Sequence, residues 1–145
     1  MSNTNNLLNI LESKIALYPN FLIKTNVLVL LENGADPNAK YMDGTSVIDR
    51  AIYILDYYIN SNTNINKYIF CDRLNIVTAL MQYGGFITIE NESNLVRLLG
   101  EKYTVALIEF AYKGDKSNTL FMFHIARLIL HCKIGISTHS NSLLV

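Results

Sequence analysis

Two apolar runs that end on glycine in the same way constrain this chain more than any other feature. Leu30-Leu31-Glu32-Asn33-Gly34-Ala35-Asp36-Pro37-Asn38-Ala39 aligns with Leu80-Met81-Gln82-Tyr83-Gly84-Gly85-Phe86-Ile87-Thr88-Ile89, fifty positions later. In each, apolar residues at helical spacing lead into a glycine, the residue that most readily closes a helix in the left-handed conformation. A third candidate stop, Lys113-Gly114-Asp115, lies thirty positions beyond Gly84, with a small deletion at Gly100-Glu101. Self-similarity of this kind argues for stacked helix pairs, each too small to bury its apolar face alone.

The rest of the chain reads as helix with polar interruptions. Leu7, Leu8, Leu11, Ile15 and Leu17 recur at three- and four-residue steps, with Thr4 as the expected N-cap and Tyr18-Pro19-Asn20 as the stop. Further helices are expected over 21–33, 47–58, 72–83, 94–99, 103–112 and 118–132, and the tail from Gly135 is small and polar. Residues 33–44 are turn-rich. The Asn-rich run over 60–67 reads as an exposed insertion that stability hardly needs, because short polar side chains bury little and loop length carries a small entropic term. Glu90-Asn91-Glu92 reads as part of a solvated hairpin.

The chain has 145 residues, half of them hydrophobic, which sets an expectation of one domain over 1–145 with a real core. Twelve basic residues balance twelve acidic ones, which argues against a nucleic-acid binder working through a broad basic surface. The N-terminal Met1-Ser2-Asn3-Thr4-Asn5-Asn6 has no basic side chain and does not read as a signal peptide. The most apolar stretch, 120–136, holds His124, Arg127, His131 and Lys133, so no membrane helix is expected. These features together suggest a soluble intracellular protein, cytoplasmic by default.

The segment Leu30 through Ala39 resembles the second-helix terminus and hairpin of an ankyrin repeat, and Asp43-Gly44-Thr45-Ser46-Val47-Ile48-Asp49-Arg50-Ala51 resembles the start of the next one. The resemblance is specific over residues 22–51 and looser over 72–90. The family's threonine-proline-leucine-histidine run is replaced by Ser46, Val47, Ile48 and Asp49, so the helix-starting proline and the histidine that ties adjacent turns are both missing. An ankyrin unit of about 33 residues leaves roughly 17 of the fifty unexplained, and the Asn-rich run is placed to absorb most of them. The resemblance implies an all-α fold: a short ankyrin-type helical solenoid of about three to four helix-pair units with irregular capping repeats.

It also implies a non-enzymatic protein–protein interaction module with no cofactor. In the family the hairpin tips and the concave face of the first helices carry the contacts. Carried over, the hairpin candidates are Asp36, Asn38, Lys40, Tyr41, Met42 and Asp43, and the concave candidates are Tyr53 and Ile54. Tyr41 and Met42 are expected to project outward from a rigid tip and to matter little for folding. Degenerate ankyrin proteins rich in Asn and Ile are frequent in large DNA viruses and intracellular parasites, which points to a factor engaging a host protein.

Two other readings compete. Cys71, expected near a helix start where the dipole would lower a thiol pKa, could pair with His124 or His131 as a nucleophile, although no local signature surrounds it. A dimeric helical bundle with an accidental ankyrin-like hairpin is the other. A metal centre is not expected from His124, His131, Cys132 and His139. The first two lie two helical turns apart, about 10.5 Å in rise, and no paired-ligand unit is present. Leu143-Leu144-Val145 could suit a groove that binds a C-terminal carboxylate.

Overall fold

Polar N-cap side chains set where four of the helices begin. The computed structural model describes residues 2–113, and these contain six α-helices. The third glycine stop at Gly114, the helix expected over 118–132, the tail, His124, His131, Cys132 and His139 lie outside the described residues. The first helix, α1 (Asn3–Glu12), is capped by Ser2, whose hydroxyl accepts from the Asn5 amide at 3.0 Å. Thr4, the expected cap, sits inside α1 and accepts the Asp36 amide at 3.0 Å. The helix stops at Glu12, because Ser13 is extended, and a 3-10 turn over Lys14–Leu17 replaces its expected last turn.

The remaining helices are α2 (Lys24–Glu32), α3 (Val47–Ser61), α4 (Lys67–Gln82), α5 (Ile89–Leu99) and α6 (Glu101–Lys113). Ser46 opens α3 and Thr88 opens α5, each with a reciprocal capping box closed by Asp49 and Asn91. The Glu90-Asn91-Glu92 run is therefore the first turn of α5 and not a hairpin.

The Asn-rich run is the largest departure from expectation. Asn60 and Ser61 extend α3, Lys67 begins α4, and only residues 62–66 connect them. Both helices are longer than the periodicity suggested, so helix extension absorbs part of the extra residues. The connection is also anchored. The buried Tyr58 hydroxyl accepts the Asn66 amide at 2.8 Å, Asn62 donates to the Tyr58 carbonyl, and Asn66 caps α4. Deleting 60–67 would remove a cap, a helix end and this clamp, so the run is not dispensable.

The two glycine stops match bond for bond. The Gly34 amide donates to Leu31 O at 3.1 Å and the Ala35 amide to Leu30 O at 2.9 Å. Fifty positions on, Gly84 donates to Met81 O at 3.0 Å and Gly85 to Leu80 O at 2.8 Å. Gly34 at φ +95° and Gly84 at φ +102° occupy the left-handed region that an L side chain adopts only with strain.

Packing then orders the helices. α1 contacts α2, α3 contacts α4 and α5 contacts α6; α1, α3 and α5 also touch in succession, as do α2, α4 and α6. The first helix of each pair thus falls in one row and the second in another. α2 and α4, the two glycine-stopped helices, are each second in their pair. α4 is the centre of the core, with eleven of its sixteen residues buried, including Phe70, Leu74, Val77 and Leu80. Leu7, Leu11, Val27, Leu31, Leu55, Leu95 and Leu107 join the same core from the other helices. Ala35 and Ala51 are buried as well, and their small side chains keep neighbouring turns close.

One ion pair lies inside this core. Arg73 is 1% exposed and pairs with Asp72, its neighbour on α4. Ile23, at the start of α2, has no side chain able to cap a helix. Asp72 does so from across the core, its carboxylate accepting the Ile23 amide at 3.2 Å and the Lys24 amide at 2.9 Å. Arg73 in turn donates to the Tyr18 carbonyl at 2.8 Å. The chain leading into α2 is thereby fixed to α4. Among the described residues no helix is long and apolar enough to cross a membrane.

Candidate protein-binding groove

The groove begins with a tight hairpin between α2 and α3. Tyr41 donates to Thr45 O at 2.8 Å, Val47 to Ala39 O at 3.0 Å, and Lys40 bridges Ser46. Gly44, at φ +89°, makes the reversal, and one Asp43 carboxylate oxygen accepts both the Thr45 amide (3.0 Å) and the Thr45 hydroxyl (2.7 Å). Those two bonds hold the Asp43 carboxyl below the usual carboxylate range.

Beside the hairpin, α3 presents Asp49, Ile52, Tyr53 and Asp56, spaced so that all four fall on one helical face. α5 runs alongside and supplies Glu90, Asn91, Asn94 and Arg97. Together with Asp43, Gly44 and Thr45 these enclose a groove of about 530 Å³. Its floor is tied together by Asn91, 3% exposed, which donates to Asp49 at 2.6 Å. Burial works against the Asp49 charge, but the Ser46 and Asn91 donors outweigh it and hold the carboxyl below its ordinary value. Arg97 closes the far end on Asp56 at 3.0 Å.

The residues expected to bind a partner separate into distinct places. Asp43 and Tyr53 line the groove, and Tyr53 is 47% exposed. Met42 is fully exposed at the hairpin tip, and Lys40 and Asp36 are also exposed. Asn38 serves the fold. Its side-chain amide donates to Gly84 O at 3.0 Å and accepts from Phe86 N at 2.8 Å, clasping one glycine-stopped turn to the next.

Ile54 must be corrected. It is 1% exposed and belongs to the core, because one residue's turn around α3 from Tyr53 points away from the groove. Tyr41 also departs from expectation. It is half-buried, and its hydroxyl donates to the Leu8 carbonyl on α1 at 2.9 Å, so it fixes the hairpin and does not project freely.

Burial first, then the nearby carboxylate of Glu12, push the Tyr41 phenol up to about 12. A phenol whose pKa is raised by folding favours the neutral form in the fold. Its contribution is complete below the ordinary tyrosine pKa of about 10 and disappears as pH rises towards 12. As pH rises from about 9.5 to about 11.5, Tyr41→Phe should therefore lose less stability than the wild type. Parallel urea titrations at several pH values check this, and identical pH dependence for the two proteins would refute it.

Several groove residues escaped sequence reading. Asp49 stood out only as a missing histidine, and Asp56, Asn94 and Arg97 carried no motif. The polar positions 49, 53 and 56 at helical spacing were the available signal. Cys71 lies one turn inside α4, not at its start, and is half-buried, with the Asn75 amide donating to its sulfur. Burial pushes its thiol up, the reverse of activation by a helix terminus.

No family model, no curated protein and no solved structure matches the chain.

Proposed function

We propose that this chain is a non-enzymatic protein-binding module, a short ankyrin-type solenoid that holds its partner in the groove between the hairpin, α3 and α5. The observation that carries this reading is the groove itself. A rigid hairpin stands beside a row of first helices, and Asn38 and Asp49 clasp successive helix pairs so that the surface is held in one shape. Preorganisation of this kind lowers the ordering cost of association. The matched closures at Gly34 and Gly84 support an ankyrin-type repeat, and the Asp49–Asn91 bond does the tying that a histidine does in that family.

Site-specific photocrosslinking tests the reading. Tyr53→p-benzoylphenylalanine, in the groove, should yield a covalent adduct with a partner protein in lysate. Glu109→p-benzoylphenylalanine, exposed on α6 in the other row, should not. Adducts only from position 109, or equal adducts from both positions, would move the binding surface elsewhere.

A further inference from the structure

The whole chain carries no net charge, yet the groove does not share that balance. Its lining holds Asp43, Asp49, Asp56 and Glu90 against Arg97 alone among the described residues, and Arg97 is already engaged by Asp56. Three carboxylates on the hairpin, α3 and α5 are left facing the same concave space. Two of them are held in place, Asp43 by Thr45 and Asp49 by Ser46 and Asn91, so their orientation need not be fixed at binding. Among the described residues two further cations stand near the groove, and neither belongs to its lining. Arg50 turns towards α1, where it donates to the Leu11 carbonyl. Lys40 stands on the hairpin outside the lining, and its pull on Asp49 is weaker than that of the Ser46 and Asn91 donors.

The groove also offers apolar surface between the carboxylates. Tyr53 presents a half-exposed ring, and that ring already accepts a cation within the fold, with the Arg50 guanidinium carbon 4.8 Å from its centroid. An aromatic ring beside fixed carboxylates suits a side chain with a long aliphatic stem and a positive head. A concave site lined by one sign of charge also concentrates field and repels segments of the same sign.

We infer that the partner presents a basic segment, with arginine or lysine side chains laid across Tyr53 and their charged heads at Asp43 and Glu90. This rests on the reading of the groove as the protein-binding surface. Recognition of this kind is local: a chain without net charge attracts its partner only at short range, and salt should weaken the complex through these few contacts.

The test uses the full chain and a phage-displayed library of random dodecapeptides. Selection should enrich arginine and lysine, and the recovered peptides should carry net positive charge. A synthetic copy of the most enriched peptide should bind the Asp43→Asn/Glu90→Gln variant about tenfold more weakly or worse, the scale of truncating a central contact. Its affinity should also fall severalfold between about 50 and 300 mM salt. Asparagine keeps the turn acceptor at position 43, and thermal melting checks the fold; Glu90→Gln alone, at an exposed first-turn position, serves if the double variant melts early.

The failures separate. Neutral or acidic peptides that lose binding in Tyr53→Ala would overturn the basic partner and leave the groove reading standing. Basic peptides that respond to Tyr53→Ala but not to loss of the carboxylates would do the same. Peptides indifferent to every groove substitution, or no enrichment at all, would overturn both.

Discussion

Asp72→Ala should cost about 3–5 kcal/mol, the range for stranding one member of a buried ion pair. The substitution leaves the Arg73 guanidinium, 1% exposed, without its carboxylate, and strips the Ile23 and Lys24 amides of their acceptor. Domains are stable by only about 5–15 kcal/mol, so much of the total margin is at stake. The reverse truncation, Arg73→Met, leaves the Asp72 charge buried and frees the Tyr18 carbonyl. The double variant should be less damaging than the sum of the two singles, because each single exposes the other partner's unpaired charge to the core. Urea titration measures this as a lower midpoint with an unchanged slope. A loss below about 1 kcal/mol would mean that water reaches the pair, and that α2 does not depend on α4 for its cap.

Gly85→Ala should cost about 1–3 kcal/mol, the usual penalty for forcing a methyl into filled space. A Cβ at position 85 would stand 2.7 Å from Ile48 Cδ1 and 2.7 Å from the Leu80 carbonyl oxygen. The isoleucine methyl can rotate away, but the oxygen is backbone and already accepts the Gly85 amide at 2.8 Å. Relief therefore requires opening the closure at the end of α4. Tyr112 on α6 adds a further constraint by donating to the Gly85 carbonyl at 3.0 Å. Position 35, the aligned residue of the first stop, carries an alanine in the same hydrogen-bonded turn. The closure at position 35 thus accommodates a methyl, whereas at position 85 the Leu80 oxygen stands too close for one. Differential scanning calorimetry should show a melting temperature lower by several degrees, on the usual scaling of stability with melting temperature. A wild-type melt would show that the end of α4 yields.

The all-helical character of the described residues was legible because apolar spacing and glycine stops are local signals. Gly34 and Gly84 closed their helices with the same bonds, as their aligned sequences implied. The ends of α3 and α4 were misread because asparagine is a poor helix former and reads as loop. Here Asn60 continues α3, Asn62 returns to the Tyr58 carbonyl, and Asn66 caps α4, so tertiary anchoring by Tyr58 outweighed composition. Of the candidate site, Asp43 and Tyr53 were found because a hairpin tip and an amphipathic face leave traces in sequence. Asp56, Asn94 and Arg97 left none, since they become neighbours only when α5 packs beside α3.

What the sequence determined by itself was periodicity and punctuation: where apolar faces lie, and where a backbone can take positive φ. Those depend on residues within a turn or two of each other. What only the tertiary structure decided was which polar groups meet. Tyr41 reads as an outward-facing tip until Leu8 offers its carbonyl, and Asp72 reads only as the first residue of a helix until α2 arrives without a cap. A buried polar group must find a partner or suffer the full penalty of desolvation. Where the partner lies thirty to fifty residues away, no local pattern records it, and the packing of the helices alone selects it.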